Sequence, residues 1–155
     1  MTSTPGLGSA FAKGRPAFVG YLMAGFPTRE ASLDALRALA RAGADLIELG
    51  VPYTDPMADG PVIRDAADAA RAAAGGRFGL AETIALAEEF IASTPQAPPV
   101  ALMTYLNPLM RAGLPAVAQS LRDAGIGGVI IPDLPPDMAV PWLSASGGID
   151  TVFLA

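Results

Sequence analysis

Three acids in one stretch of this chain, Glu48, Asp55 and Asp59, have the types and the spacing to move protons. They lie within Asp45-Leu46-Ile47-Glu48-Leu49-Gly50-Val51-Pro52-Tyr53-Thr54-Asp55-Pro56-Met57-Ala58-Asp59-Gly60-Pro61. The opening residues read as a short buried strand with Glu48 near its end. Alternate side chains of a strand share a face, so Leu46 and Glu48 point one way and Ile47 and Leu49 the other. Pro52, Pro56 and Pro61 then each fix a backbone angle, which makes the following loop stiff. That loop carries Asp55 and Asp59 back toward the strand end that holds Glu48. A carboxylate on a rigid strand facing a carboxylate on a held loop is an acid/base pair. Two of the three acids have other uses. Asp59 precedes Gly60-Pro61, and proline suits the first turn of a helix, so Asp59 can instead cap that helix. Asp55 before Pro56 can simply start a turn. Glu48 has no such alternative, because burying an unpaired acid in a strand costs several kcal/mol.

The elements that must position these acids follow from the hydrophobic pattern. Phe18-Val19-Gly20-Tyr21-Leu22-Met23 reads as a first strand, closed by Ala24-Gly25-Phe26-Pro27. Thr28 is a suitable N-cap, and Leu33, Leu36, Leu39 and Ala40 mark one helical face up to Gly43. The second strand, Leu46 to Leu49, follows at once. Val62 to Ala74 is alanine-rich and helical, and Gly75-Gly76 breaks it. Leu80, Ile84, Ala87 and Ile91 mark another helix, stopped before Pro95. A third strand runs from Val100 to Tyr105 and ends at Asn107-Pro108. Leu114, Val117, Leu121 and Ala124 form the next helical stripe, ended by Gly125. Gly128 to Ile131 is a fourth strand ending at Pro132-Asp133-Leu134-Pro135, Met138 to Ser146 a short helix, and Thr151 to Leu154 a fifth strand. Residues 1–15 read as a loose arm or a short first helix.

Strand and helix alternate throughout with short connections, which predicts a parallel α/β sheet. Helices that close on glycine just before an apolar strand recur at Ala42-Gly43-Ala44-Asp45, Ala124-Gly125-Ile126-Gly127 and Gly147-Gly148-Ile149-Asp150. The strands are apolar on both faces, as when helices cover one side and a barrel interior or a second helix layer the other. No G-x-G-x-x-G turn follows strand one, so a dinucleotide site has little support. Polar or bendable residues gather at the strands' carboxyl ends: Glu48, Asn107 and Asp133, with the proline loops. That is where an eight-fold βα barrel places its chemistry.

Composition narrows the chemistry further. The chain has 155 residues, 52% of them hydrophobic and 16% charged, the balance of a single core-rich domain and not of a disordered segment. A net charge of -5 with no basic run argues against a nucleic-acid partner. With no cysteine and no histidine, disulfides, thiolate nucleophiles, imidazole bases and imidazole metal ligands are excluded. Lys13, near the chain start, is the sole lysine, which makes a Schiff base improbable. Proton transfer is left to carboxylates and tyrosines. The amino terminus lacks the 7–15-residue apolar core of a signal peptide. No apolar run is long enough to span a bilayer. The cytoplasm is the expected location.

Four blocks in order, Phe18 to Pro27 (FVGYLMAGFP), Glu48 to Pro61 (ELGVPYTDPMADGP), Met103 to Pro108 (MTYLNP) and Ile130 to Pro135 (IIPDLP), resemble the tryptophan synthase alpha chain family. The likeness covers the chain from Phe18 to Ala155, and the second block is its most specific part. It implies a (βα)8 TIM-type barrel, of which this chain covers roughly strands one to five, as a single incomplete domain over residues 1–155. It implies a lyase of tryptophan biosynthesis that cleaves indole-3-glycerol phosphate to indole and glyceraldehyde 3-phosphate by a retro-aldol reaction. In that reading Glu48 is the general acid/base and Asp59 steadies charge at the indole nitrogen. Tyr21, Met103, Tyr105, Ile130 and Pro132 match positions lining the indole pocket; each is otherwise an ordinary barrel-core residue, Met103 and Ile130 most of all. Tyr53, Thr54, Asp55 and Pro56 match the region that meets a beta chain in a heterotetramer. Pyridoxal phosphate belongs to that beta chain, so no cofactor or metal is expected here.

The chain also departs from the pattern. Arg64 stands where a neutral glutamine is usual, and Ala72-Ala73-Ala74-Gly75-Gly76 is one residue longer. A βα barrel normally takes ~250 residues, and its later strands supply the phosphate site. Weak or no activity is therefore expected of an isolated 155-residue chain. Two other readings stand beside this one. One is a magnesium-dependent aldolase or phosphatase with Glu48, Asp55, Asp59 and Asp133 as oxygen ligands; the other is a non-catalytic protein that docks on a beta chain.

Overall fold

The structure, a computed structural model, describes residues 6–154. Five strands, β1 (Val19–Met23), β2 (Leu46–Gly50), β3 (Val100–Met103), β4 (Gly128–Ile130) and β5 (Asp150–Val152), alternate with helices. The helices are α1 (Arg29–Arg41), α2 (Pro61–Ala73), α3 (Leu80–Ser93), α4 (Leu106–Ala112), α5 (Leu114–Asp123) and α6 (Val140–Ser146). Two short 3-10 turns cover Leu7–Phe11 and Pro136–Met138. The strands form one parallel sheet in the order β1-β2-β3-β4-β5, each joined to the next through a helical connection. Among the described residues β1 and β5 each pair on one side only.

Local signals explain most of the elements. The Thr28 hydroxyl accepts the Ala31 N–H at 3.3 Å and starts α1, whose Leu33 and Leu36 are buried. Gly43 and Gly125, at φ of 84° and 75°, end α1 and α5 in the left-handed region that favours glycine. One part departs from the sequence reading. The third strand stops at Met103, and Asn107 and Pro108 lie inside α4 instead of ending a strand. Proline is tolerated there because a first-turn N–H has no helical partner to lose. The first residue of α4 is anchored from far along the chain, its Leu106 N–H donating to Asp133 Oδ1 at 2.8 Å. The fifth strand likewise begins and ends earlier than expected, at Asp150 and Val152.

The sheet's two faces carry different loads. Ile47, Leu49, Val100, Leu102 and Val129 pack against Leu36, Leu86, Phe90 and Leu121 of the helices in one continuous core. Each such fully buried side chain contributes about 1.5–3 kcal/mol. Trp142 of α6, also buried, donates its Nε1 hydrogen to Thr151 Oγ1 at 2.9 Å and ties that helix to β5. The opposite, concave face carries Leu46 and Ala101, and a second cluster forms there with Leu7 and Ala10 of the first turn. Here the expected arm or short helix is a pinned turn that plugs the amino ends of the strands. Leu7 N–H donates to Asp150 Oδ2 at 2.7 Å, and a Cβ on Gly128 would lie 2.8 Å from Leu7 Cγ. Residues 1–5 of the expected arm fall outside the described residues.

Asp45 completes the plug. Its carboxylate, 1% exposed, accepts from Lys13 Nζ at 2.6 Å, from both Arg15 terminal nitrogens at 2.8 Å, and from Phe18 N–H at 2.8 Å. Arg15 foremost, then Lys13 and the Phe18 N–H, hold it well below the usual carboxylate range. No described helix is long and apolar enough to cross a membrane.

Candidate active site

Parallel register sets Tyr21, Glu48, Ala101 and Gly128 abreast across β1 to β4, with Met103 and Ile130 abreast one step further on. All of these share the concave face, because they alternate with the helix-facing residues. Glu48 is half-buried there, has no hydrogen-bond partner among the described residues, and is pushed above the ordinary glutamic acid value by burial. A raised pKa keeps more of the carboxyl protonated near neutrality, the condition for a general acid.

Tyr21 leans toward the carboxyl end of the sheet and crosses Gly50. A Cβ on Gly50 would collide with the phenol, meeting its Cζ at 2.9 Å, so glycine at that position is what admits the ring. The hydroxyl itself is buried and has no hydrogen-bond partner among the described residues. Burial first, then the charges of Asp59 and Glu48 and the Tyr105 phenol, push Tyr21 far above its usual range, so it remains a neutral phenol.

The loop that brings Asp59 is held on several sides. Val51 N–H donates to Met103 O at 2.9 Å, and both Val51 and Pro52 are buried, so the loop leaves the sheet in a fixed direction. Asn107 Nδ2 donates to the Tyr53 hydroxyl at 2.7 Å, and the Tyr53 and Tyr105 rings stand 5.5 Å apart. The Tyr105 hydroxyl accepts the Ala58 N–H at 2.9 Å, next to Asp59. From the other side, Arg64 Nε donates to the Asp59 carbonyl at 3.0 Å. Tyr105 is raised by burial first, against the Ala58 hydrogen bond, and Asp59 adds to the rise. Both phenols therefore feel the Asp59 carboxylate.

The alternative role for Asp59 lapses. Gly60 is the N-cap of α2, Pro61 follows it, and no side chain caps that helix. Asp55 behaves differently: it is exposed, accepts only the Thr54 hydroxyl at 3.0 Å, and does not join Glu48. Asp133 is taken up by the Leu106 N–H. The four acids of the magnesium reading thus do not converge, and no group of three acids among the described residues is placed to hold a metal. Pro132, half-buried, follows β4 on the same rim, and Pro56 is half-buried beside exposed Thr54 and Asp55. A groove of about 960 Å³ runs between α3 and α5 and up to the loop after β2, lined by Leu80, Ile84, Val117 and Arg111 and by Pro52, Tyr53 and Thr54. Neither Glu48 nor Asp59 reaches it.

Comparison with known proteins bears on this arrangement. The family model described as tryptophan synthase alpha chain matches residues 7–155. The chain belongs to the tryptophan synthase alpha chain family. A curated alpha chain from Salinispora tropica is 46% identical over 147 residues, covering 94% of this chain and 53% of that relative. One from Leifsonia xyli is 49% identical over 141 residues, covering 90% and 52%. Among solved structures, a tryptophan synthase of Mycobacterium tuberculosis superposes with a TM-score of 0.85 at 41% identity over 96% of this chain and 56% of that one. The alpha subunit of Legionella pneumophila gives a TM-score of 0.87 at 32% identity, covering 96% and 56%. The chain therefore spans about half the length of the alpha chains it matches, and its sheet is five parallel strands of their TIM barrel.

Sequence reasoning missed two features of the site. The Tyr105–Ala58 tether joins residues 47 positions apart and has no local signal. The collision between a Gly50 side chain and Tyr21 becomes visible only when β1 and β2 are set in register.

Proposed function

We propose that this chain carries the amino-terminal five βα units of an alpha-type lyase that cleaves indole-3-glycerol phosphate to indole and glyceraldehyde 3-phosphate. The observation that supports the reading is that a partly buried Glu48 on a rigid strand and a loop-borne Asp59, not used as a helix cap, both act on the one Tyr21 phenol. Glu48 gives its proton to the indole ring carbon that bears the glycerol chain, which leaves positive charge at the ring nitrogen. Asp59, accepting the ring N–H, stabilises that charge. Removal of the adjacent hydroxyl proton by the Glu48 carboxylate breaks the carbon–carbon bond. The electron pair returns to the ring as indole leaves, and the hydroxyl carbon becomes the aldehyde. Tyr21, Met103, Tyr105, Ile130 and Pro132 form the wall that takes the indole ring.

The reaction needs no group beyond side chains. Pyridoxal phosphate is assigned to a beta chain that consumes the indole, in a cytoplasmic heterotetramer. Tyr53, Thr54, Asp55 and Pro56 form the docking edge, which the exposure of Thr54 and Asp55 on a stiffened loop supports. Residues 1–155 constitute one incomplete barrel domain. The isolated chain has weak or no activity, because binding energy from a remote phosphate supports the chemistry and the later barrel loops supply that grip.

Indole release from indole-3-glycerol phosphate tests this, in a full-length alpha chain carrying these residues. Glu48→Gln should lower kcat about 10²–10⁴-fold, the usual contribution of a general acid. Near-normal turnover in that variant contradicts the assignment.

A further inference from the structure

We propose that the Tyr21 hydroxyl is a positioning hydrogen-bond donor for the Asp59 carboxylate, engaged when a ligand draws the loop onto the sheet. The proposal rests on the lyase reading above and goes beyond it, since that reading gives Tyr21 only a wall against the indole ring.

Three observations converge. The Tyr21 hydroxyl is buried and lacks any partner among the described residues, whereas buried polar groups in folded proteins almost always have one. The place it occupies depends on Gly50, because any side chain there would strike the phenol. A ring kept only for packing would do better without the hydroxyl, which must be stripped of water for no return. The donor therefore awaits an acceptor that the resting arrangement has not delivered.

The charged and titratable groups facing it come from each neighbouring element. Glu48 lies opposite on β2, Asp59 on the loop, and Tyr105 beyond β3, with Arg64 of α2 on the Asp59 carbonyl. The Tyr105 hydroxyl accepts the Ala58 N–H and turns its own hydrogen toward Asp59. Glu48 must carry a proton to act as the acid, which makes it the poorer acceptor. Asp59 acts on Tyr21 more strongly than Glu48 does, and the Tyr105 phenol already reaches the same carboxylate, which leaves its second oxygen for Tyr21. Tyr105 and Arg64 fix the main chain around Asp59, and Tyr21 fixes the second carboxylate oxygen. The carboxylate is then aimed at a ring N–H.

The test is Tyr21→Phe in the full-length alpha chain assayed with its beta partner. Loss of one hydrogen bond to a charged group should lower kcat about 10- to 100-fold with little change in KM. Removing a donor disfavours the ionised form of Asp59, so the acid limb of kcat/KM should move to higher pH. The melting temperature should stay level or rise, because a buried unpaired hydroxyl has been removed. Wild-type kcat with an unmoved acid limb overturns the proposal; so does a lowered melting temperature with an unmoved limb, which marks packing alone. Glu48→Gln run in parallel separates the two claims. If wild type releases indole and Glu48→Gln does not, the lyase reading stands whatever Tyr21→Phe shows. If wild type releases none, both fall.

Discussion

Glu48→Gln should make the protein more stable while disabling it. The side chain keeps its shape and loses its charge, so packing on the concave face is unchanged. Withholding water from a polar group that finds no partner costs about 1–3 kcal/mol. Glu48 is only half-buried, so solvent screens part of this, and about 1 kcal/mol remains as the penalty for its ionised form. Because the folded pKa is raised, the carboxyl is favourable to folding below its unfolded value of about 4.3. Wild type loses that stability as pH rises through the folded value, and the glutamine variant keeps it. At pH 7 the variant should melt about 2–4 °C higher, the shift expected for 1 kcal/mol in a chain of this size. At pH 3.5 the two should melt together. Thermal unfolding followed by far-ultraviolet circular dichroism between pH 3.5 and 8 measures both. A variant less stable at every pH, or a difference that does not vary with pH, would refute the claim that desolvation sets the state of Glu48.

Three other perturbations probe the frame around it. Tyr105→Phe keeps the ring against Tyr53 and removes the acceptor for Ala58 N–H, worth about 1 kcal/mol, so kcat/KM for indole release should fall about fivefold; an unchanged value means the tether does not position Asp59. Gly128→Ala places a Cβ 2.8 Å from Leu7 Cγ and 2.9 Å from the Asp150 carbonyl oxygen, and overpacking of this kind costs about 1–3 kcal/mol in thermal unfolding. Asp45→Asn should free the amino-terminal arm at pH 7, seen as faster amide exchange at Phe18 and Leu7. Since the Asp45 pKa is depressed, its stabilisation holds above about pH 3.9 and is lost only as pH falls through the lower folded value, so the contrast between the two proteins should persist into mild acid.

Much of this arrangement is legible in the chain because its signals are local. Thr28 before a helical stripe, Gly43 and Gly125 after one, and apolar runs directly following each specify strand and helix in alternation. The alternation then leaves little choice but a parallel sheet. Glu48 stood out for the same reason, as an acid with a strand's periodicity around it. The parts that stayed hidden depend on residues far apart in sequence. Asn107-Pro108 read as the end of a strand because the Asp133 oxygen that anchors α4 comes from beyond β4. Asp45 read as a residue leading into β2, when its partners are Lys13 and Arg15 of the arm. Asp55 and Asp59 were equals on composition and spacing, and only the loop's tethers bring Asp59 to the Tyr21 and Tyr105 phenols and leave Asp55 in solvent.

The central claim is that Glu48 is a desolvated acid poised to give up a proton. Carbon-13 shifts of the glutamate side-chain carboxyls against pH, with the Glu48 resonance assigned by its absence in Glu48→Gln, read this directly. A Glu48 midpoint displaced above the ordinary glutamic acid value supports the account. A midpoint at or below that value would contradict it, and the general acid would have to be sought elsewhere in the chain.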